Sequence, residues 1–167
     1  MTINTYKYDN VSIVQVKDFE RPHAVRHKVF VLEQGYSSTI ETDDLDDKST
    51  HWVATCDKVD QNGTLIESNV DVGTIRLVPK NQNMAKLTRF AVVQNARGLK
   101  IGQRLLEAFI DYSKKNGFDT IVLHSQHPKR GFYEKAGFVV ERGDDEVFIE
   151  AGTPHVRMWM RNLQDKS

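Results

Sequence analysis

One stretch of this sequence constrains the fold more than any other: a strand pattern leads through a basic turn directly into a clear helix pattern. The strand pattern is AKLTRFAVV, residues 85–93, and the helix pattern is IGQRLLEAFIDYSKKNG, residues 101–117. In the second segment apolar residues recur every three or four positions, and two lysines and Gly117 close it, as they close many helices. A strand joined so closely to an amphipathic helix indicates a protein that combines sheet and helix.

The rest of the chain supplies further strands and two more helices. Helix patterns cover residues 19–35 and 129–138, each with a glycine at its end, and Asn62-Gly63 marks a turn. The remaining strand patterns cover residues 11–16, 51–57, 71–79, 119–125, 138–141 and 155–161. This order predicts an α/β (α+β mixed-sheet) fold in one domain over residues 1–167.

Composition excludes several classes of protein. Hydrophobic residues make up 39% and charged residues 28% of the chain, which is typical of globular proteins and not of disordered or membrane ones. The 23 basic and 23 acidic residues cancel, whereas a general nucleic-acid-binding protein carries a basic excess. No apolar run is long enough to span a bilayer. The absence of a secretory signal pattern and the single cysteine, Cys56, predict a cytoplasmic protein.

The turn before the main helix has the wrong charge for an ordinary helix start. Helices usually begin at Ser, Thr, Asp or Asn, and an acidic first turn suits the helix dipole. Here Arg97, Lys100 and Arg104 surround the helix start, and its first acidic residue is Glu107. A bound phosphate would turn this unfavourable charge into a favourable one, because helix N–H groups and a guanidinium could hold it together. A solvated basic turn explains the local pattern equally well, and the P-loop and dinucleotide-binding glycine motifs are absent.

Two motifs resemble the GNAT superfamily of acyl-CoA N-acyltransferases. The segment LTRFAVVQNARGLKIGQRLLEAF, residues 87–109, resembles its acyl-CoA-binding strand, [QR]-x-x-G-x-[GA] turn and helix, with Lys100 where a glycine is usual. The segment GFYEKAGF, residues 131–138, is similar to the F-Y-x-x-x-G-F block near the end of the same fold. The stretches VRHKVFVLEQG, DDLDDKSTHWVA and FIEAGTPHVRM further resemble the ElaA-like branch, so the similarity spans nearly the whole chain.

This resemblance implies a cofactor, acetyl-CoA, and a set of residues that bind it. The mostly antiparallel sheet would have helices on both faces and would splay between the strands at 87–93 and 120–125, where the cofactor enters. Backbone groups of residues 90–93 would hold the pantetheine arm, the turn would hold the pyrophosphate, and Gln126 stands where many members have asparagine. The implied cofactor-binding residues are Phe90, Ala91, Val92, Val93, Arg97, Gly98, Leu99, Lys100, Ile101, Gly102, Gln103, Arg104, Gln126 and Phe132.

The resemblance also implies acetyl transfer by direct attack of an amine on the thioester. Tyr133 matches the tyrosine that protonates the leaving thiolate in many members, and a packed structural tyrosine is the alternative. Glu33, His51 and His124 are candidate general bases, of which Glu33 is the one we select as catalytic, and a chain of water molecules could serve instead.

The acceptor is the least determined part of the prediction. We expect a small primary amine or an amino sugar; a peptide or protein amine, or a non-catalytic acyl-CoA-binding regulatory module, are the alternatives. An acidic cluster could attract a cationic amine or be a solvated loop; it comprises Glu41, Asp43, Asp44, Asp46 and Asp47. No metal is expected, because no cysteine or carboxylate pair completes a site around His124 and His127. The protein would be a monomer or a homodimer.

Overall fold

A computed structural model describes residues 6–37 and 43–165 of the chain. Over these residues it contains a seven-stranded mixed sheet with the strand order β1-β2-β3-β4-β5-β7-β6. The strands are β1 Tyr6–Val16, β2 Thr50–Asp60, β3 Leu65–Pro79, β4 Met84–Val92, β5 Thr120–Gln126, β6 Phe148–Glu150 and β7 Thr153–Met160. The pair β4–β5 is parallel, and the pairs β1–β2, β5–β7 and β6–β7 are antiparallel. The predicted α/β mixed-sheet fold is therefore confirmed.

Three α-helices accompany the sheet in the described part of the chain. They are α1 Glu20–Arg26, α2 Ile101–Lys115 and α3 Arg130–Ala136. Helix α1 continues without a break into a π-helical segment, His27–Glu33, and Gly35 follows it with a positive φ of 78°. Wider π-helical turns are rare and occur mostly at functional sites. None of the described helices is both long and apolar enough to cross a membrane.

Two details differ from the sequence-based prediction. Residues 138–141 do not form a strand, because Val139 makes only an isolated bridge to Trp159 and is 54% exposed. The partner of the other end of β7 is instead β6, where Phe148 pairs with His155. β4 pairs with β5 from Met84↔Thr120 to Leu87↔Leu123, and both strands continue beyond the last of these pairs.

The chain divides into two compact units. The first, here the N-terminal unit, contains the residues up to Arg76 together with Arg89–Ala108. The second, the C-terminal unit, contains Leu77–Thr88 together with the residues from Phe109 onward. A single acetyltransferase domain over residues 1–167 stays a prediction.

Close packing in the N-terminal unit fixes the start of α2 against the sheet. A Cβ atom added at Gly73 of β3 would lie 2.9 Å from Leu105 Cδ1 and 3.2 Å from Ile101 Cγ2. Leu105 and Ile101 are the buried residues of the first turns of α2, at 0% and 1% exposure. Because glycine has no side chain at this point, the helix start lies directly on β3.

A buried charge network ties α1 to β3 in the same unit. Arg26 of α1 donates two hydrogen bonds to the Asp46 carboxylate, at 3.0 and 2.9 Å, and Arg76 of β3 donates a third at 2.8 Å. Arg76 also binds both carboxylate oxygens of Asp43, at 2.8 and 3.0 Å. Arg26 and Arg76 are 0% and 1% exposed, so Asp46 compensates two charges that water cannot reach.

We expect Asp46→Ala to lower the free energy of unfolding by about 3–5 kcal/mol, because two buried guanidinium groups lose their shared carboxylate. Chemical denaturation followed by circular dichroism measures this loss. Asp47→Ala is the matched control, since Asp47 is exposed on the same turn and should change the free energy by no more than about 0.5 kcal/mol. Equal losses in the two variants would contradict the network's role.

Candidate active site

The turn between β4 and α2 has a backbone shape that few residues adopt. After β4 the chain forms a short 3-10 turn, Gln94–Ala96, and then passes through positive φ at Gly98 (95°) and at Lys100 (60°). Ala96 and Ile101 are 0% and 1% exposed and hold the two ends of the turn in the core. The residues between them, from Arg97 to Lys100, are exposed.

Lys100 occupies the left-handed position where the resemblance leads one to expect glycine. A left-handed backbone costs a residue with a side chain roughly 1–2 kcal/mol. The turn therefore has the backbone shape expected for a glycine at this position, but the residue carries a basic side chain and its backbone is strained. Strain of this kind is typical of functional sites.

The start of α2 presents donors that an anion can use. The Arg104 N–H makes a helical hydrogen bond to the Lys100 carbonyl at 3.0 Å, so the N–H groups of Ile101, Gly102 and Gln103 precede the helical ladder. The first turn of α2 contains no acidic residue. Such a helix end, bordered by basic side chains, has the donor set and the charge to bind a phosphate group.

The structure also brings the predicted catalytic Glu33 to this turn. The Glu33 carboxylate forms an ion pair with the Arg97 guanidinium and accepts a hydrogen bond from the Gln94 N–H at 3.2 Å. Arg97 further donates its Nε–H to the Val92 carbonyl at 3.2 Å. Arg104 donates to the Val11 carbonyl of β1 at 2.9 Å. Both arginines are thus held by the protein's own acceptors.

A cavity of about 350 Å³ lies beside Glu33 within the N-terminal unit. Lys28 and Glu33 of the helix, Tyr8 of β1 and Asp71 of β3 are among its lining residues. Arg21 binds the Asp71 carboxylate through two hydrogen bonds of 2.8 Å. Both acidic side chains of the cavity lining therefore already have an arginine partner.

The backbone of the predicted pantetheine-binding residues is partly engaged. The Val93 N–H donates to the Val72 carbonyl of β3 at 2.8 Å, and the Val92 carbonyl accepts from Arg97 as described. Within the segment of residues 90–93, the Val93 N–H is thus used by the sheet itself. Phe90 and Ala91 belong to β4, and Ala91 is 4% exposed.

Tyr133 lies in α3 of the C-terminal unit, and its side chain is in an apolar environment. It is 8% exposed, and its ring packs edge-on against Phe132 and Phe138, with ring centroids 5.2 and 6.0 Å away. Burial raises the pKa of Tyr133 well above its usual range, so the phenol keeps its proton at neutral pH. Gln126 ends β5 in the same unit and is partly exposed.

His51 and part of the acidic cluster make contacts inside the fold. His51 is 1% exposed, and its Nε2 lies 3.0 Å from the Asp46 carbonyl, which can only accept a hydrogen bond. Burial lowers the pKa of His51 and keeps it neutral. Asp43 and Asp46 of the acidic cluster bind arginines, Asp44 and Asp47 are exposed, and Glu41 lies outside the described residues.

One interaction was not foreseen in the sequence. His124 of β5 contacts the Glu150 carboxylate of β6, with Nδ1 and Oε1 2.9 Å apart. Glu150 lies 26 residues along the chain, in a segment that no strand pattern covered, so spacing alone gave no signal. His127 is exposed, and no group of three metal-binding side chains occurs among residues 6–37 and 43–165.

Comparison with known proteins agrees with this architecture. A Bacillus subtilis (strain 168) protein that carries a provisional acetyltransferase name is 32% identical over 146 residues, covering 87% of this chain and 91% of its own. A Lactobacillus plantarum crystal structure, provisionally described as an N-acetyltransferase, superposes with a TM-score of 0.76 at 25% identity, covering 92% and 99% of the two chains.

Two further crystal structures share the fold at lower identity. Escherichia coli ElaA has a TM-score of 0.70 at 22% identity, with 90% of this chain and 99% of ElaA covered. A GNAT acetyltransferase from Elizabethkingia anophelis, solved with acetyl-CoA bound, has a TM-score of 0.62 at 18% identity, with 92% and 99% covered. The family model described as the acetyltransferase (GNAT) domain matches residues 23–162. The chain therefore belongs to the GNAT acetyltransferase family and is an acyltransferase.

Proposed function

We propose that this protein transfers an acetyl group from acetyl-CoA to a primary amine. The observation that carries the cofactor assignment is the start of α2, where the first helix N–H groups lie beside Arg97, Lys100 and Arg104 and the first helical turn contains no acidic residue. The acetyl-CoA bound in the Elizabethkingia relative supports the same cofactor here. In this proposal the turn holds the pyrophosphate of coenzyme A.

The Arg97–Glu33 ion pair is compatible with this role, because a pyrophosphate could open it. A pyrophosphate offers the Arg97 guanidinium more negative charge than one carboxylate does, and it can accept two parallel hydrogen bonds. Arg97 would exchange Glu33 for the phosphate, and Lys100 would add a second positive charge. The Glu33 carboxylate would then have no ion-pair partner, and the hydrogen bond from the Gln94 N–H would keep it beside the cavity.

The other predicted contacts extend along β4 and α3. Acetyl-CoA supplies the acyl group as an activated thioester. Backbone groups of residues 90–93 are the proposed binding site of its pantetheine arm, although the sheet itself uses the Val93 N–H. Tyr133 keeps its proton up to high pH and would donate it to the departing sulfur. Phe132, 39% exposed beside it, would supply an apolar contact.

The volume beside Glu33 favours a small acceptor. A cavity of about 350 Å³ is at the lower end of the range for small-molecule sites. We therefore propose a small amine or an amino sugar, with a peptide amine as the alternative acceptor.

The protein has one cysteine, Cys56, which is buried, and burial raises the pKa of its thiol to about 11. A single unpaired cysteine agrees with a reducing cytoplasmic location. A monomer or a homodimer is expected.

Reversing the charge of the turn should weaken coenzyme A binding. For Arg97→Glu and for Lys100→Glu we expect the Kd of coenzyme A to rise at least 10-fold, as each charge-assisted hydrogen bond contributes about 1.5–3 kcal/mol. Isothermal titration calorimetry gives the Kd. Lys80→Glu, an equal charge change at an exposed residue of the other unit, should leave it unchanged. An unaltered Kd in both turn variants would exclude the pyrophosphate assignment.

Lys100→Gly and Lys100→Ala separate the backbone of the turn from its side chain. Glycine relieves the positive φ and alanine does not, so the glycine variant should be the more stable by about 0.5–1 kcal/mol in thermal or chemical unfolding. Both variants lose the ammonium group, so both should bind coenzyme A several-fold more weakly than wild type. Equal stability of the two variants would mean that the left-handed conformation is not retained.

The enzyme itself is tested with an acceptor panel and a thiol-detecting reagent. Polyamines, amino sugars, amino acids and short peptides are each mixed with acetyl-CoA, and we expect amine-dependent thiol release with at least one small amine. Mass spectrometry of the acceptor should show the added acetyl group. Coenzyme A binding without thiol release across the panel would instead favour the non-catalytic acyl-CoA-binding module.

A further inference from the structure

Three side chains of the C-terminal unit form a chain of polar contacts around one carboxylate. Glu150 of β6 lies between His124 of β5, at 2.9 Å from Nδ1, and His155 of β7, at 3.7 Å from Nε2. The second ring nitrogen of His155, Nδ1, lies 2.7 Å from the Thr153 carbonyl. The carboxylate thus has one hydrogen-bonded histidine, His124, while His155 lies close by and is itself held by the backbone.

These contacts define where the protons are. An ionised carboxylate only accepts hydrogen bonds, so His124 donates its Nδ1–H to Glu150, and its Nε2 then carries the lone pair. A carbonyl likewise only accepts, so His155 donates its Nδ1–H to Thr153. A neutral histidine whose Nδ1 proton is held by a carboxylate is arranged to accept a second proton at Nε2.

The position of His124 makes its ring accessible. Its side chain is 18% exposed, whereas Leu123 and Ser125 on either side of it are 1% exposed. Strand residues two apart face the same side of a sheet, so His124 shares a face with Gln126. Gln126 is the residue of β5 that, by the family resemblance, would contact the cofactor. Phe148 lies edge-on to the His124 ring, with centroids 5.0 Å apart, and forms an apolar wall beside it.

The surrounding charges keep His124 neutral and Glu150 ionised. Burial lowers the pKa of His124, and Lys86 of β4 and Arg157 of β7 lower it further, while Glu150 opposes them. Burial would raise the pKa of Glu150, but the hydrogen bond from His124 and the positive charge of Lys86 act against it, and the net shift is downward. At neutral pH the pair therefore consists of an uncharged His124 imidazole and an ionised Glu150 carboxylate.

We propose that His124, in place of the Glu33 selected from the sequence, is the general base of the acetyl transfer, and that Glu150 is its positioning residue. This inference rests on the proposed function. His124 Nε2 takes one proton from the acceptor's ammonium group, and the neutral amine nitrogen attacks the thioester carbonyl carbon. The C–N bond forms and the C–S bond breaks, the sulfur gains a proton while the nitrogen loses its second one, and His124 releases its proton to water.

The first test compares His124→Gln with wild type on the best acceptor of the panel. We expect kcat to fall about 100-fold or more near neutral pH, with the Kd of coenzyme A within 2-fold. The deficit should shrink for a weakly basic aromatic amine, which is already deprotonated at that pH. His127→Gln is the matched control, an exposed histidine three residues away that should behave as wild type.

The second test uses Glu150→Gln, which keeps the imidazole and removes the charge. Because Glu150 raises the pKa of His124, the acidic limb of the kcat/KM profile should move to lower pH, and kcat should fall while the acceptor KM stays within 2-fold. Imidazole ¹⁵N NMR of the free protein gives an independent measure: His124 should be protonated at Nδ1 in wild type and lose that preference, with a lower pKa, in the variant.

The outcomes separate this inference from the function on which it rests. A wild-type protein that acetylates no amine overturns both. A wild-type protein that does acetylate, together with an unchanged rate and pH profile in His124→Gln, overturns the inference alone. The inference alone is also overturned if Glu33→Gln loses the acidic limb of the kcat/KM–pH profile while His124→Gln keeps it. If His124→Gln does not fold, an unmoved acidic limb and His124 pKa in Glu150→Gln overturn it equally.

Discussion

The left-handed backbone at Gly98 and Lys100 is the constraint on which the candidate site depends. It turns the chain from the end of β4 into α2 within a few residues, while Ala96 and Ile101 stay buried on either side. The first turns of α2 then lie against Gly73 of β3, so the helix start cannot shift without a clash or a void. The donors at this helix end are therefore fixed in place before any ligand arrives, which lowers the entropy cost of binding one.

Several acidic residues of the N-terminal unit are partners of arginines. Asp46 and Asp43 neutralise Arg26 and Arg76, and Glu33 holds Arg97 at the turn. Carboxylates that are paired with arginines stabilise the fold and orient side chains. Because their charge is neutralised, they contribute little attraction for a cationic substrate. In the proposed function, recognition of the acceptor depends on cavity size and on which ion pair a ligand can open.

In the proposed mechanism, proton transfer is divided between two groups, Tyr133 and His124, whose environments differ. Tyr133 lies among aromatic rings, and burial holds its proton on the phenol. His124 is partly exposed, lies between a carboxylate and two cationic side chains, and stays unprotonated. Pairs of titratable groups whose environments push their pKa values apart are typical of sites that must both give and take a proton.

The sequence by itself determined the mixed-sheet fold, the basic turn before α2 and the family, because periodicity and the two GNAT-like motifs are local properties of the chain. The sequence placed Lys100 in the turn but did not predict its left-handed backbone, because the identity of a residue does not reveal a φ of 60°. Tertiary structure decided which charges meet: Glu33 with Arg97, Asp46 with Arg26 and Arg76, and Glu150 with His124. These partners are separated by 20 residues or more in the chain, and only the folded backbone brings them within hydrogen-bonding distance.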